Sequence, residues 1–275
     1  MLSLNTNTTS LMVQRNLSKA TEGINRAMMQ LTTGYRLNSA KDNPANYAIA
    51  KNMETKIHAW DVAQSNMSMG YDMLEVASSS AELIGAHLSR IRDLCEQACN
   101  GTYGEQSVNA IKAEIQGRLD EINRIRANTE YNDIKLFGEI CSDGSVTPKT
   151  VDLQIGIDSS TSSRLTVETT LNLSGLNDIE NWDITSSDTL DKVDSMLNEL
   201  WNYEVNIGAS QNRIEYALES SEVIVTNLTS SLSTIRDADI AKASSDLIRY
   251  QILQQACATL LATANQMPAM ALQLL

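Results

Sequence analysis

Two histidines (His58 and His87), four cysteines (Cys95, Cys99, Cys141 and Cys257) and the carboxylates Asp237 and Asp239 are the side chains here that could do chemistry. Cys95 and Cys99 stand one helical turn apart, not in the C-x-x-C spacing of zinc ribbons and dithiol redox sites. Zinc would need two further close ligands beside them, and only His58 and His87 exist. An acid–base or nucleophilic centre needs its groups gathered in a pocket. Each histidine instead sits alone in a helical pattern, and Asp237 and Asp239 follow Arg236, where ion pairing is the plain role. No Gly-rich phosphate loop is present. The cysteines read as small buried apolar residues. The expectation is a chain that is not an enzyme and holds no metal or cofactor.

The elements are helices. Aromatic content is 4% with a single Phe, while Gly and Pro number only 12 and 3. Few aromatics suit narrow cores, and few breakers suit long helices. Val13, Leu17, Ala20, Ile24, Ala27 and Leu31 repeat at alternating steps of four and three, a coiled-coil seam that Gly34 ends. Asn43-Pro44 reads as the N-cap and first residue of a second helix that runs to about Asn100. Its end carries Ile84, Leu88, Ile91, Cys95 and Ala98 in the same rhythm. Thr102 and Glu105 form a capping-box pattern ahead of a third helix striped by Ile111, Ile115, Leu119 and Ile122. Val151, Leu153, Ile155 and Ile157, then Leu165, Val167, Thr169 and Leu171, alternate at period two. They predict a β-hairpin over about 150–172, with a turn at "DSSTSS".

A fourth helix follows, its seam unbroken from Leu190 to Ile235 over about 70 Å at 1.5 Å per residue. The seam slips at Arg236-Asp237-Ala238 and resumes through Ile240, Ala243, Leu247, Tyr250, Leu253, Cys257, Leu260, Ala264 and Met267. The fold class expected is mainly α, an elongated rod of coiled coil and helix bundle with a small β-hairpin. Residues 1–42 and 236–275 are expected to pair as one coiled-coil domain, with 43–235 as the helix-bundle domain.

The formal net charge is -13, yet no charged residue precedes Arg15 or follows Arg249. The acidic balance argues against nucleic acid, which needs clustered Lys and Arg. The polar "NTNTTS" start lacks the basic region of a secretory signal. The C-terminal segment holds too many Gln, Thr and Asn for a membrane span. A soluble coiled coil places charges beside its seam, whereas Gln and Thr are far cheaper to desolvate than carboxylates. An uncharged helix with apolar and amide faces fits burial on both sides. One partner helix barely offsets ordering costs of about 1–2 kcal/mol per residue, so the ends are expected to be disordered in a free monomer and to fold on assembly. Val13, Leu17, Ile24, Leu31, Leu253, Leu260, Ala264 and Met267 are the candidate polymerisation seam.

"LTTGYRLNSAKDNPANYAIA", "RIRDLCEQACNGTY", "AEIQGRLDEINRI", "TEYNDIKLF", "STIRDADIAKASSDLIRYQILQQA" and the closing "ANQMPAMALQLL" resemble bacterial flagellin, in order and at both ends. Only a short connection separates the hairpin from the fourth helix, as in a flagellin with filament-core domains alone. The resemblance implies an extracellular structural subunit that polymerises into the flagellar filament for motility and leaves through the flagellar type III apparatus. The terminal segments would form its inner-core domain. The partners it implies are copies of itself, hook-associated junction and cap proteins and an export chaperone, with no nucleic acid or membrane. A hook–filament junction protein is the alternative. The resemblance also implies recognition by the animal flagellin-sensing Toll-like receptor, through Arg90, Leu94, Gln97, Ile111 and Glu114. Leu94 lies off the seam set by Ile91 and Cys95, so it is expected to face outward beside Arg90, with Asp93 as the local partner of that arginine. Ser89, Cys95, Glu96 and Cys99 depart from the family's usual residues there, and Glu96 weakens the receptor expectation.

Overall fold

The computed structural model describes residues 7–140, 146–173, 176 and 183–273, with the side chains of 139–140, 146–147 and 267–273 outside that description. Five long helices carry the described chain: α1 (Thr8–Thr33), α2 (Pro44–Ala98), α3 (Glu105–Asn128), α4 (Ser187–Arg236) and α5 (Ile240–Gln273). Three antiparallel strand pairs lie between α3 and α4: β1 (Glu130–Tyr131) with β2 (Ile134–Lys135), β3 (Glu139–Ile140) with β4 (Val146–Thr147), and β5 (Thr150–Gln154) with β6 (Arg164–Glu168). The mainly helical class with a small hairpin is thus as the periodicity predicts. Among the described residues no helix is long and apolar enough to cross a membrane.

The chain forms two compact units, residues 1–57 with 226–275 and residues 58–225. In the first, α1 packs on α5. Gly34 ends α1 at φ +74, and its N–H reaches the Gln30 carbonyl. That left-handed geometry is costly for a residue with a Cβ. At the start of α2 the Asn43 side chain accepts the Asn46 N–H at 3.1 Å, with Pro44 as the first helical residue.

In the second unit, parts of α2 and α4 enclose one core with α3 and the β5–β6 hairpin. Leu74, Ile84, Leu88 and Ile91 of α2 are fully buried, as are Ile122 of α3 and Val193, Leu200, Ile207 and Ile214 of α4. They belong to the same cluster as Leu165 and Val167 of β6. Along β6 these two alternate with exposed Arg164, Thr166 and Glu168, the signature of a strand with one face on a core. Val151 pairs with Val167 and Leu153 with Leu165. The strands are shorter than their period-two runs. Beyond Gln154 the chain folds back through a turn in which Asp158 accepts from Ser160 Oγ at 2.6 Å and from Ser163. These bonds hold the Asp158 carboxyl below its ordinary range, the Ser160 hydroxyl contributing most. The single Phe, Phe137, meets Tyr203 edge to face at 5.7 Å.

Several expectations need correction. The Thr102–Glu105 capping box does not form: the N-cap of α3 is Gly104, and no side-chain cap is made. The Thr102 N–H is instead taken by the Asn100 side chain at 3.2 Å, closing a turn that competes with the cap. Arg236 does not pair with Asp237 or Asp239. Its guanidinium pairs with Glu54 of α2 and stacks on the Tyr35 ring at 3.8 Å. Asp239 instead caps α5 by accepting the Lys242 N–H at 3.1 Å. The seam of α5 is another, and it belongs with the surfaces below.

Candidate polymerisation and recognition surfaces

α1 and α5 run antiparallel. Asn7 Nδ2 donates to the Ala264 carbonyl at 2.7 Å, Ser10 Oγ donates to Asn265 Oδ1 at 2.9 Å, and Gln254 Nε2 donates to Thr21 Oγ1 at 3.3 Å. Their far ends are stitched where α4 stops and α5 starts. The Arg36 N–H donates to the Arg236 carbonyl at 2.7 Å, and the Ala238 N–H donates to the Gly34 carbonyl at 2.8 Å. Arg36 adds a guanidinium bond to the Ile235 carbonyl at 2.6 Å. The seam slip read from the sequence is this break. The carbonyls freed at the end of α4 find donors in the α1–α2 loop. Tyr35, Arg36 and Glu54, and their contacts with Arg236 and its neighbours, escaped sequence reasoning because contacts between distant segments leave no periodic signal.

On α1, Val13, Leu17, Ile24 and Leu31 are half-buried and Ala20 and Ala27 buried. On α5 the less exposed positions include Ala243, Leu247, Tyr250, Gln254, Cys257, Leu261 and Ala264, a strict alternation of four and three, with Ser244 and Asp246 beside the first turn of that line. Leu253 and Leu260, expected on this seam, are 45% and 55% exposed. Counting by apolar residues chose them one position too early. Gln254 holds the seam position because its amide has a hydroxyl partner, which removes the cost of burying it. The Met267 side chain lies outside the described residues.

This pair is thin by itself. Among the described residues, the buried apolar side chains on its two helices are alanines: Ala20, Ala27, Ala243 and Ala264. Its larger seam residues are only half-buried, and Leu11, Met12, Met28 and Met29 on α1 and Ile248, Ile252, Leu253 and Leu260 on α5 are exposed. So many exposed large apolar side chains on one helix pair point to an interaction site.

The N-terminal helical region of bacterial flagellin matches residues 4–142, and the C-terminal helical region matches residues 190–275. The chain belongs to the bacterial flagellins. Listeria innocua flagellin is 30% identical over 286 residues, spanning 100% of this chain and 99% of that one. Halalkalibacterium halodurans flagellin is 32% identical over 277 residues and 99% of each chain. The flagellar filament 33 kDa core protein of Treponema phagedenis is 28% identical over 284 residues and 99% of each. This flagellin is a structural subunit of the extracellular flagellar filament, and these relatives lend nothing to the junction-protein alternative.

Of the receptor candidates, Gln97 is exposed and Arg90 and Glu114 are partly so, the last two 3.3 Å apart between α2 and α3. Glu114 also pairs with Arg118 at 3.0 Å. The Arg118 hydrogen bond and then the Arg90 charge hold the Glu114 carboxyl below its ordinary range. Arg90 therefore bridges to the next helix, in place of the expected local pair with Asp93. Leu94 faces the core at 2% exposure, and Ile111 is buried at 8%. Off-seam residues face outward only on a helix with one neighbour. At this end α2 is covered on two sides, so its apolar arc widens to take in Leu94. Cys95 is buried, which pushes its thiol up to about 11, an inert state. Cys99 Sγ lies 3.7 Å from the Ile184 carbonyl, Cys257 lines the α1–α5 seam, and Cys141 is outside the described residues.

Proposed function

We propose that the α1–α5 pair is the element through which this flagellin polymerises. The observation that carries this is the set of exposed large apolar residues Leu11, Met12, Met28, Met29, Ile252, Leu253 and Leu260, on a helix pair whose own buried seam is mostly alanine. Copies packed around it would bury that face and offset the ordering cost, so the pair becomes fully stable only inside the filament. A chain whose ends fold late also suits passage through a narrow export channel, before junction proteins, cap proteins and chaperone hand over to neighbouring subunits. Purified chain seeded with filament fragments tests this by electron microscopy, beside a variant lacking residues 250–275. The intact chain is expected to form long filaments while the truncated one stays monomeric. Equal polymerisation by both would remove α5 from the contact. Short rings from the intact chain under every condition would restore the junction-protein alternative.

A second reading is favoured by Arg90, Gln97 and Glu114 standing on one surface between α2 and α3. They form a charged and amide patch open to the animal flagellin-sensing Toll-like receptor in the free monomer, with Leu94 and Ile111 acting only as its supports. Arg90→Glu is expected to lower receptor activation by monomer about tenfold, the effect of losing one charge-assisted contact, with the melting temperature unchanged. Activation equal to that of the unaltered chain would take the patch out of recognition.

A further inference from the structure

The second unit carries two lines of exposed apolar residues that its own core does not use. On α2 these are Val62, Met69, Val76 and Leu83, spaced by seven and between 38% and 61% exposed. On α4 they are Trp201, Val205, Tyr216 and Val223, between 53% and 71% exposed. At 100° per residue each set falls within an arc of about 60°, and their lengths are about 31 and 33 Å at 1.5 Å per residue. Such runs are far from the scattered single apolar residues that any surface shows.

The two lines are also level with each other. Gln64 Nε2 bonds Ser221 Oγ at 3.0 Å, Gly85 lies against Leu200, and Arg92 Nε bonds Asp194 at 2.6 Å. These contacts fix an antiparallel α2–α4 register in which Val62 stands at the height of Val223, Met69 of Tyr216 and Leu83 of Trp201. Val62 is two residues from Gln64 and Val223 two from Ser221, so each stands about 160° around its helix from the contact. The stripes therefore look away from one another, on different faces of the unit.

Resting on the shown identity as a filament subunit, we propose that in the filament the α2 stripe of one subunit packs against the α4 stripe of a neighbouring copy. A strict seven-residue period is that of a helix packed along another helix, so the occupant is a helix. In a filament of one protein that helix belongs to another copy. An open helical polymer is built from heterologous contacts, in which a patch meets a different patch. The α2 stripe then needs an unlike mate of its own length, and the α4 stripe is the other such line among the described residues of this unit. Between Lys56 and Arg90, α2 bears Asp61, Asp72, Glu75 and Glu82 and no Lys or Arg. On α4, Glu219 falls within the arc of the stripe and Glu204, Glu215 and Glu222 stand beside it, with Arg213 the one basic residue from Trp201 to Val223. Both flanks are acidic, so salt strengthens this contact by screening, the reverse of an ion-paired interface.

Leu83→Lys and Tyr216→Lys test the pair, together with Val76→p-benzoylphenylalanine for photo-crosslinking in filaments. Both lysine variants are expected to keep the helicity and melting temperature of the intact monomer. Each should raise the critical concentration for assembly about tenfold, and added sodium chloride should lower it for the intact chain. Irradiated filaments, and not monomers, should give intermolecular products that map to residues 201–223. Normal assembly of both lysine variants, or crosslinks that map elsewhere, would overturn the pairing while leaving the filament reading intact. An intact chain that forms no filaments overturns that reading and this contact with it.

Discussion

Ile84→Asp is expected to abolish the cooperative unfolding transition of the second unit, whereas Leu83→Asp leaves it nearly unmoved. The residues are neighbours on α2, yet Ile84 is fully buried and Leu83 is 57% exposed. Removing a buried Ile side chain costs about 2–5 kcal/mol through lost transfer energy and the cavity left behind. A carboxylate in its place enters a cluster that is almost wholly apolar, which adds several kcal/mol or forces the acid to stay protonated. Together these reach the whole stability of a domain, about 5–15 kcal/mol. At Leu83 the new carboxylate stays in water, and surface changes of that kind fall within about 0.5 kcal/mol. Circular dichroism melts of both variants decide the matter. A two-state melt for Ile84→Asp within a few degrees of the intact chain would mean that this face of α2 is not the core.

The contrast between residues 83 and 84 also marks how far the sequence could be read. Where a helix has one neighbour, the step of three and four finds its buried line, as for Val13 to Leu31; on α4 it finds Val193, Leu197, Leu200, Ile207 and Ile214 but misses Met196 and Tyr203, which are buried off that line. Where α2 is covered twice, the same rule misplaces Leu94, because a second apolar line looks like an outward residue when only one seam is counted. On α5 the rule failed in the opposite way. It stepped to Leu253 and Leu260 for their hydrophobicity, while the chain keeps strict spacing and puts Gln254 on the seam. Gly34 and the Asn43-Pro44 start were legible because each acts through its own backbone. The β1–β2 turn had a local signal too, since Asn132 and Asp133 take φ of 48° and 62°, the conformation that Asn and Asp tolerate best after Gly. The Tyr35–Arg236–Glu54 cluster had none. Its partners lie far apart in the chain, and neither charge pattern nor spacing names them.

Tyr250 is the aromatic of the α1–α5 seam, and Gly23 makes room for it. A Cβ built on Gly23 falls 2.6 Å from ring atoms Cδ1 and Cγ of Tyr250. Cγ is the near end of the ring, so a rotamer change alone does not clear it, and Gly23→Ala must push the helices apart. Overpacking of this sort costs about 1–3 kcal/mol. It falls on a pair that has few large buried contacts to lose, so filament assembly is expected to fail before the second unit is disturbed. Tyr250→Ala removes the obstacle and leaves a gap beside Gly23, weakening the pair by a different route. In the double variant the clash is gone, and alanine outranks glycine in a helix by about 1 kcal/mol. Gly23→Ala is therefore harmful in the intact chain and helpful in the Tyr250→Ala background, a reversal of sign that independent sites do not show. The four chains can be compared by the critical concentration for seeded growth. If Gly23→Ala impairs growth equally in both backgrounds, the ring does not lie against the α1 backbone.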